Sequence, residues 1–285
     1  MIKANSDTGD PPLTVSATVC GLAIYLDNFA MISLAKGDAQ RRNRLVSALH
    51  TGRADLLFSI TNAAELTGPQ GRSLIAIRTF LDEVGPHWFP VELDPREVAK
   101  RELEGAGTTD SFVSRDLITE YYTFRTRNRA TNAGKVTDHS DDFLGLGGVL
   151  DWLGPRRDSI RKLAADLDAA LIKKISEHRA EFDRDRLWLD HRVPALPFNP
   201  TKPAAFTYIN LLRTLIVEAK SHPLKKGDGV DFCHVVIASA FASVAALDKH
   251  WKRRVEALPK PNGLARIYYQ QELDEMVTYI ESSIA

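Results

Sequence analysis

Short apolar runs bounded by turn or helix signals constrain this chain more than any other feature. LAIYL at 22–26, DLLFSI at 55–60, HWFPVEL at 87–93, VAAL at 244–247 and LARIY at 264–268 are each too short for a buried helix. Such runs, alternating with helical segments, read as strands of an α/β sheet covered on both faces. Four acidic residues sit at or just beyond these runs or at a helix start: Asp27 ends GLAIYLD, Glu65 lies in LLFSITNAAEL, Asp231 opens DFCHVVIASA and Asp248 ends SVAALD. In open α/β sheets the carboxyl ends of the strands face the crevice where ligands bind.

Helical signals fill the intervals. Segments 28–35 and 39–50 read as helices separated by Gly37, Thr61-Asn62 caps a helix carrying Glu65, and 73–84 is helical. Asp94-Pro95 supplies an N-cap and a first-turn proline for a helix through Leu103. The alternation stops at 105–222. There, 110–127, 143–153, 158–184 and 204–220 read as helices, with a Gly-, Asp- and Asn-rich loop at 128–142. In 158–184 an apolar stripe recurs at helical spacing: Ile160, Leu163, Leu167, Leu171, Ile175, His178 and Phe182. The α/β pattern returns after 222, with a helix from Asp231 to about Ala242 and an amphipathic helix over 271–282. The expected organisation is a polar leader at 1–19, disordered, then one α/β core built from 20–104 and 223–285, interrupted by a helical insertion at 105–222.

Composition narrows the function class. With 37 basic and 37 acidic side chains the formal net charge is zero, so local clusters must carry any attraction for nucleic acid. Two cysteines, Cys20 and Cys233, are too few for a disulfide framework or a cysteine zinc site, and fit a reducing cytoplasm. No apolar run reaches the length of a membrane span.

Four uncompensated carboxylates in one crevice suit a hard divalent cation, Mg²⁺ or Mn²⁺. Magnesium keeps several waters and uses few protein carboxylates, so three or four acids suffice for one or two ions. Asp27 and Asp231 are the expected direct ligands, with Glu65 and Asp248 binding directly or through water. Without metal the cluster repels itself and raises at least one carboxylate pKa. Taken singly, each acid has a plainer role: Asp27, Asp231 and Asp248 as helix N-caps, Glu65 as an exposed helix residue. Around them, Asn28 and Asn62 are placed to cap helices or to bond substrate or water. Asp228 is placed in the turn KKGDGVD, and His234 one turn along the helix from Asp231.

In their order, these segments resemble the PIN-domain nucleases. YLDNFAMISLAKGD (25–38) resembles the opening strand and helix, with the first acid at Asp27. SITNAAEL (59–66) resembles the block carrying the glutamate, here Glu65, and WFPVELDPREVAKREL (88–103) the middle strand and helix. VDFCHVVIASA (230–240) and AALDKHWKRRV (245–255) resemble the last two acidic blocks, here Asp231 and Asp248. The likeness covers both ends of the chain and leaves the insertion aside. The distance from the middle helix to the third acid far exceeds that of small PIN ribonucleases. The resemblance implies a PIN-like fold and a metal-dependent endoribonuclease acting on single-stranded RNA. Its alternatives are a structure-specific DNA nuclease and a non-catalytic RNA-binding or scaffold protein.

Two basic stretches are candidates for nucleic-acid contact. YYTFRTRNRATNAGK (121–135) carries Arg125, Arg127 and Arg129 beside aromatic residues, and KHWKRR (249–254) places Lys249, Lys252 and Arg253 after Asp248. RRNR (41–44) reads as a solvated helix face. The insertion is a candidate substrate cap, oligomerisation arm or partner platform.

Overall fold

The computed structural model describes residues 2–5, 14–17, 19, 21–68, 71–131, 145–218, 222–259 and 261–285, with the backbone alone at 2–5, 14–17, 108–109 and 126–131. Its centre is a five-stranded sheet built from β3 (Leu22–Leu26), β4 (Ala54–Ser59), β5 (Trp88–Val91), β6 (Val244–Ala246) and β7 (Arg266–Tyr268). The strand order is β5-β4-β3-β6-β7 and every neighbouring pair is parallel. The first three strands come from the N-terminal part of the chain and the last two from the C-terminal part. All five apolar runs therefore become strands, and the sheet is flanked by helices as expected.

Alternation along the strands sorts the core into two layers. Ile24, Leu26, Leu56, Phe58, Trp88, Val244 and Ala246 face one cluster. It is completed by α1 (Asn28–Lys36), α2 (Ala39–Ala48), α4 (Arg72–Val84) and α14 (Leu273–Ile284). Ala23, Tyr25, Leu57, Phe89, Val91, Ala245 and Ile267 face the other, against α5 (Pro95–Leu103), α11 (Pro203–Val217), α12 (Asp228–Phe241) and α13 (Lys249–Glu256). Both faces are dry, which is why the strands read as nearly continuous apolar runs. The RRNR segment is not a purely solvated face. Arg41 forms a bidentate pair with Asp274, and Arg44 pairs with Glu281, so α2 is tied to α14.

The insertion is helical: α6 (Thr108–Phe112), α7 (Arg115–Thr131), α8 (Gly147–Leu153), α9 (Arg157–Arg184), α10 (Trp188–Arg192) and α11. Among the described residues its one β-bridge to a strand is antiparallel, between Val113 and Val91. That bridge corrects the helix expected over 110–127. Extended backbone at Val113, with ψ of 132°, ends α6, and α7 begins two residues later. The stripe on α9 also needs one correction. Ile160, Leu171 and Ile175 are buried, but Leu163 is 65% exposed.

Near the amino end, β1 (Ile2–Asn5) and β2 (Thr14–Ala17) pair antiparallel, where the sequence suggested a disordered leader. No helix of the described residues is long and apolar enough to cross a membrane.

Two buried carboxylates fasten the insertion to the core. Glu102 of α5 accepts the amides of Ala204 (3.1 Å) and Ala205 (2.8 Å), so it caps α11. Asp168 of α9 does the same for α12. It accepts from Gly227 N (2.9 Å), Gly229 N (2.8 Å) and Val230 N (3.4 Å). Residue 229 is glycine for a steric reason: a Cβ there would stand 2.8 Å from the Asp168 carbonyl oxygen. These amides belong to the first turn of α12, which has no partners of its own for them. Asp168→Ala is expected to lower stability by about 2 kcal/mol, because buried donors lose their acceptor. Asp168→Asn is expected to lose less, since one oxygen still accepts from Gly229 and Val230. Denaturant unfolding of the two variants beside wild type checks both the size and the order of these losses.

Candidate active site at the carboxyl edge of the sheet

The parallel sheet delivers the acids to one edge. Asp27 follows β3 and is the N-cap of α1, its side chain accepting from Asn28 N at 2.7 Å. Its own amide continues the ladder by donating to Ala246 O at 3.1 Å, next to β6. Glu65 lies on α3 (Ile60–Leu66), which starts directly after β4. Asp248 follows β6 as the residue before α13, and its side chain caps no amide. Asp231 lies in the first turn of α12. The helix opens at Asp228, three residues earlier than expected, so Asp231 is not its N-cap and its carboxylate is not used on the backbone. Asp228 is correspondingly on the helix rather than in the preceding loop, with its carboxylate bound to Lys225 N at 2.6 Å.

The electrostatics bring these groups together. Burial pushes the Asp27 carboxyl from 3.8 up to about 7, opposed by the Asn28 amide and reinforced by the charges of Glu65 and Asp248. Asp231 is also pushed up to about 7, by burial first and then by Asp27, Glu65, Asp248 and Asp228. Glu65 is an exposed residue of its helix, yet its carboxyl is raised by desolvation, partly offset by the Asn28 amide and by Arg161. Self-repulsion thus contributes as expected, but desolvation is the larger cause.

Asn28 links two of the acids. It is buried, donates through Nδ2 to Glu65, and follows Asp27 in the chain. Its Oδ1 is buried without a hydrogen-bond partner, a free acceptor at the rim of the acidic crevice.

Behind the carboxylates lies a closed ring of buried polar side chains. His234 joins Tyr25 OH through Nδ1 and Thr61 Oγ1 through Nε2 at 3.2 Å. Thr61 Oγ1 meets Ser59 Oγ at 2.8 Å, Ser59 donates to Asn62 Oδ1 at 2.8 Å, and Asn62 Nδ2 returns to Tyr25 OH at 3.4 Å. Burial lowers the His234 pKa to about 4 and raises that of Tyr25 well above its ordinary value. With His234 neutral and protonated on Nε2, the ring runs in one direction with a donor and an acceptor at each link. It ties β3, α3 and α12 together directly beneath Asp27, Glu65 and Asp231. Asn62 and His234 therefore hold the framework of the site. Asn62 also completes a capping box with Ser59.

Helix α9 walls the edge. Its first turns meet the end of α3, where Arg157 donates to Thr67 O at 3.3 Å. Arg161 lies against Gly68, its Nη2 standing 2.5 Å from where a Cβ would be. Two turns on, Asp168 caps α12. Neither Arg161 nor Asp168 stood out in the sequence, because each acts on a segment far away in the chain.

The basic residues divide differently from expectation. Lys249 and Arg253 are exposed on α13. Lys252 is not free for substrate: it pairs with Glu272 at 2.6 Å and with Glu256 at 3.7 Å. Arg125 packs against Gly148 of α8, and its charge acts on Tyr121. The side chains of Arg127 and Arg129 lie outside the described residues.

The donor set is all oxygen, which suits Mg²⁺ or Mn²⁺. Among the described residues no group of three or more His, Cys, Asp or Glu side chains is placed to hold a metal ion.

The raised carboxyl pKa values make a signed expectation. A carboxyl that binds its proton more tightly when folded favours the fold at low pH, and that advantage is lost as pH rises from about 4 to about 7. Without divalent ions, wild type is expected to lose on the order of 2 kcal/mol across this window relative to Asp27→Asn. Melting of both proteins between pH 4 and pH 8 in EDTA checks the difference. Mg²⁺ at pH 8 is expected to restore the loss in wild type alone.

No protein-family model matches the chain, and no curated protein or solved structure matches it, so the chemistry of the site follows from its own residues.

Proposed function

We propose that this protein is a Mg²⁺- or Mn²⁺-dependent nuclease of the PIN-like class that hydrolyses phosphodiester bonds in single-stranded RNA. One observation carries the reading: Asp27 and Asp231, both raised to about 7, share a sheet edge with the interacting charges of Glu65 and Asp248. A fold gains no stability from gathering Asp27 and Asp231, both half-buried, beside the exposed Glu65 and Asp248. A function that needs a cation there gives them a reason.

Asp27 and Asp231 would hold the cation, and Glu65 and Asp248 would bond its waters or join it directly. When bound, the cation lowers the pKa of a coordinated water and offsets charge on phosphoryl oxygens. The chain supplies the rest. Asn28 orients Glu65 through Nδ2, and its unpartnered Oδ1 is positioned to accept from a crevice water. Asp27, fixed by its own cap bond and by the ladder bond to Ala246, presents its second carboxylate oxygen in a set direction. The neutral ring at His234 keeps these elements in register without adding charge. The wall formed by α9 beside the edge suits a flexible single strand better than a duplex. Cys233, buried and free, suits the reducing cytoplasm in which we place the protein.

Purified protein is expected to cut single-stranded RNA with Mg²⁺ or Mn²⁺ and to stop in excess EDTA. Asp27→Asn is expected to slow cleavage at least about 100-fold, since it removes the charge that holds the cation. Its melting temperature at pH 8 should not fall, so the loss is chemical. Cleavage that survives EDTA, or an undiminished Asp27→Asn protein, would contradict the proposal. Cutting of flap DNA with RNA left intact would favour a structure-specific DNA nuclease.

A further inference from the structure

We infer that the RNA strand lies across the carboxyl edge of the sheet, from Arg161 on α9, over the acids, to Lys249 and Tyr269 beyond β7. The inference rests on the nuclease reading and adds the path of its substrate.

The sheet order sets the acids and their neighbours in a row. Glu65 follows β4, Asp27 follows β3, Asp248 follows β6 and Tyr269 follows β7, and these four strands are consecutive neighbours. Three inter-strand steps span about 14 Å, a length a few nucleotides cover.

A polyanion approaching four carboxylates needs cations beside them, and the row has one at each end. At the β4 end, Arg161 is exposed and stands at Gly68, three residues past Glu65. Its charge acts on Glu65, yet among the described residues it forms no ion pair. A guanidinium held beside the acids but not bonded to one keeps its fork for a phosphate. At the other end, Lys249 follows Asp248 directly and is exposed, with Arg253 one turn further along α13. Lys249 Nζ stands 5.2 Å from the centre of the Tyr269 ring, and Lys252 Nζ 5.4 Å. Tyr269 is half-buried, and its hydroxyl is occupied by Gln271 at 3.1 Å. Both cations lie over the ring, so an unpaired base stacks on Tyr269 as Lys249 turns aside to a phosphate. The phosphate over the acids would thus have one neighbour at Arg161 and the other at Lys249, with a base on Tyr269.

The test measures binding rather than cleavage. Full-length Asp27→Asn protein in Mg²⁺ is titrated with a fluorescent single-stranded RNA at several salt concentrations. Adding Arg161→Ala or Tyr269→Leu is expected to weaken binding on the order of ten-fold each. Arg161→Ala is also expected to reduce the slope of log affinity against log salt by about 0.7, the loss of one phosphate contact. Lys162→Ala is the control. It is the next residue on α9 but is exposed and paired with Asp166 at 2.8 Å, so affinity should not change. If the Asp27→Asn parent binds RNA but Arg161→Ala and Tyr269→Leu bind it equally well, the path is wrong while the nuclease reading stands. The path is equally wrong if Lys162→Ala weakens binding as much as Arg161→Ala. If neither the parent nor wild type binds RNA, the nuclease reading falls and takes the path with it. Equal dependence on Arg161 and Tyr269 with single-stranded DNA would extend the same path to both nucleic acids.

Discussion

A sheet whose strands all run in one direction has a single edge at which every strand ends. That directional constraint governs this molecule. It brings Asp27, Glu65 and Asp248 from separate parts of the sequence to one place, and α12 adds Asp231 beside them. The crowding is unfavourable in itself: burial and mutual repulsion hold two of these carboxyls near 7. The surroundings are arranged to contain that cost. Asn28 bonds Glu65, the Asn28 amide bonds Asp27, and an uncharged ring of five buried side chains ties the carrying elements together.

The insertion belongs to this arrangement. Helix α9 is long enough to reach both core layers, with Ile160 in one and Ile175 in the other. In crossing between them it passes α3 and α12. Asp168 gives α12 the acceptor that its own sequence lacks, and Arg161 comes to rest at the end of α3. The helix that carries Asp231 therefore depends on a residue from outside the α/β core. Removing the insertion would leave the first turn of α12 without its buried partner, so core and insertion form one cooperative structure.

Much of this could be read from the sequence. The strands were legible because a doubly covered parallel sheet demands unbroken apolar runs, and Asp94-Pro95 marked the start of α5 through local chemistry. What the sequence hid were the partnerships between distant residues. The start of α12 is hidden in the sequence because its cap comes from Asp168 on another helix, and the break between α6 and α7 because Val113 bridges to Val91. Lys252 looked free because Glu272 is twenty positions away. Composition and periodicity report what a residue is and what stands next to it in the chain. They are silent about a cap, a bridge or an ion pair formed after folding.

We propose that this edge holds a divalent cation. A crystal soaked in Mn²⁺ at pH 8, measured at the manganese absorption edge, tests it most directly. An anomalous peak is expected between Asp27 and Asp231, within ligating distance of at least one oxygen of each. An edge with no peak there, or a peak held by residues elsewhere on the chain, would contradict it.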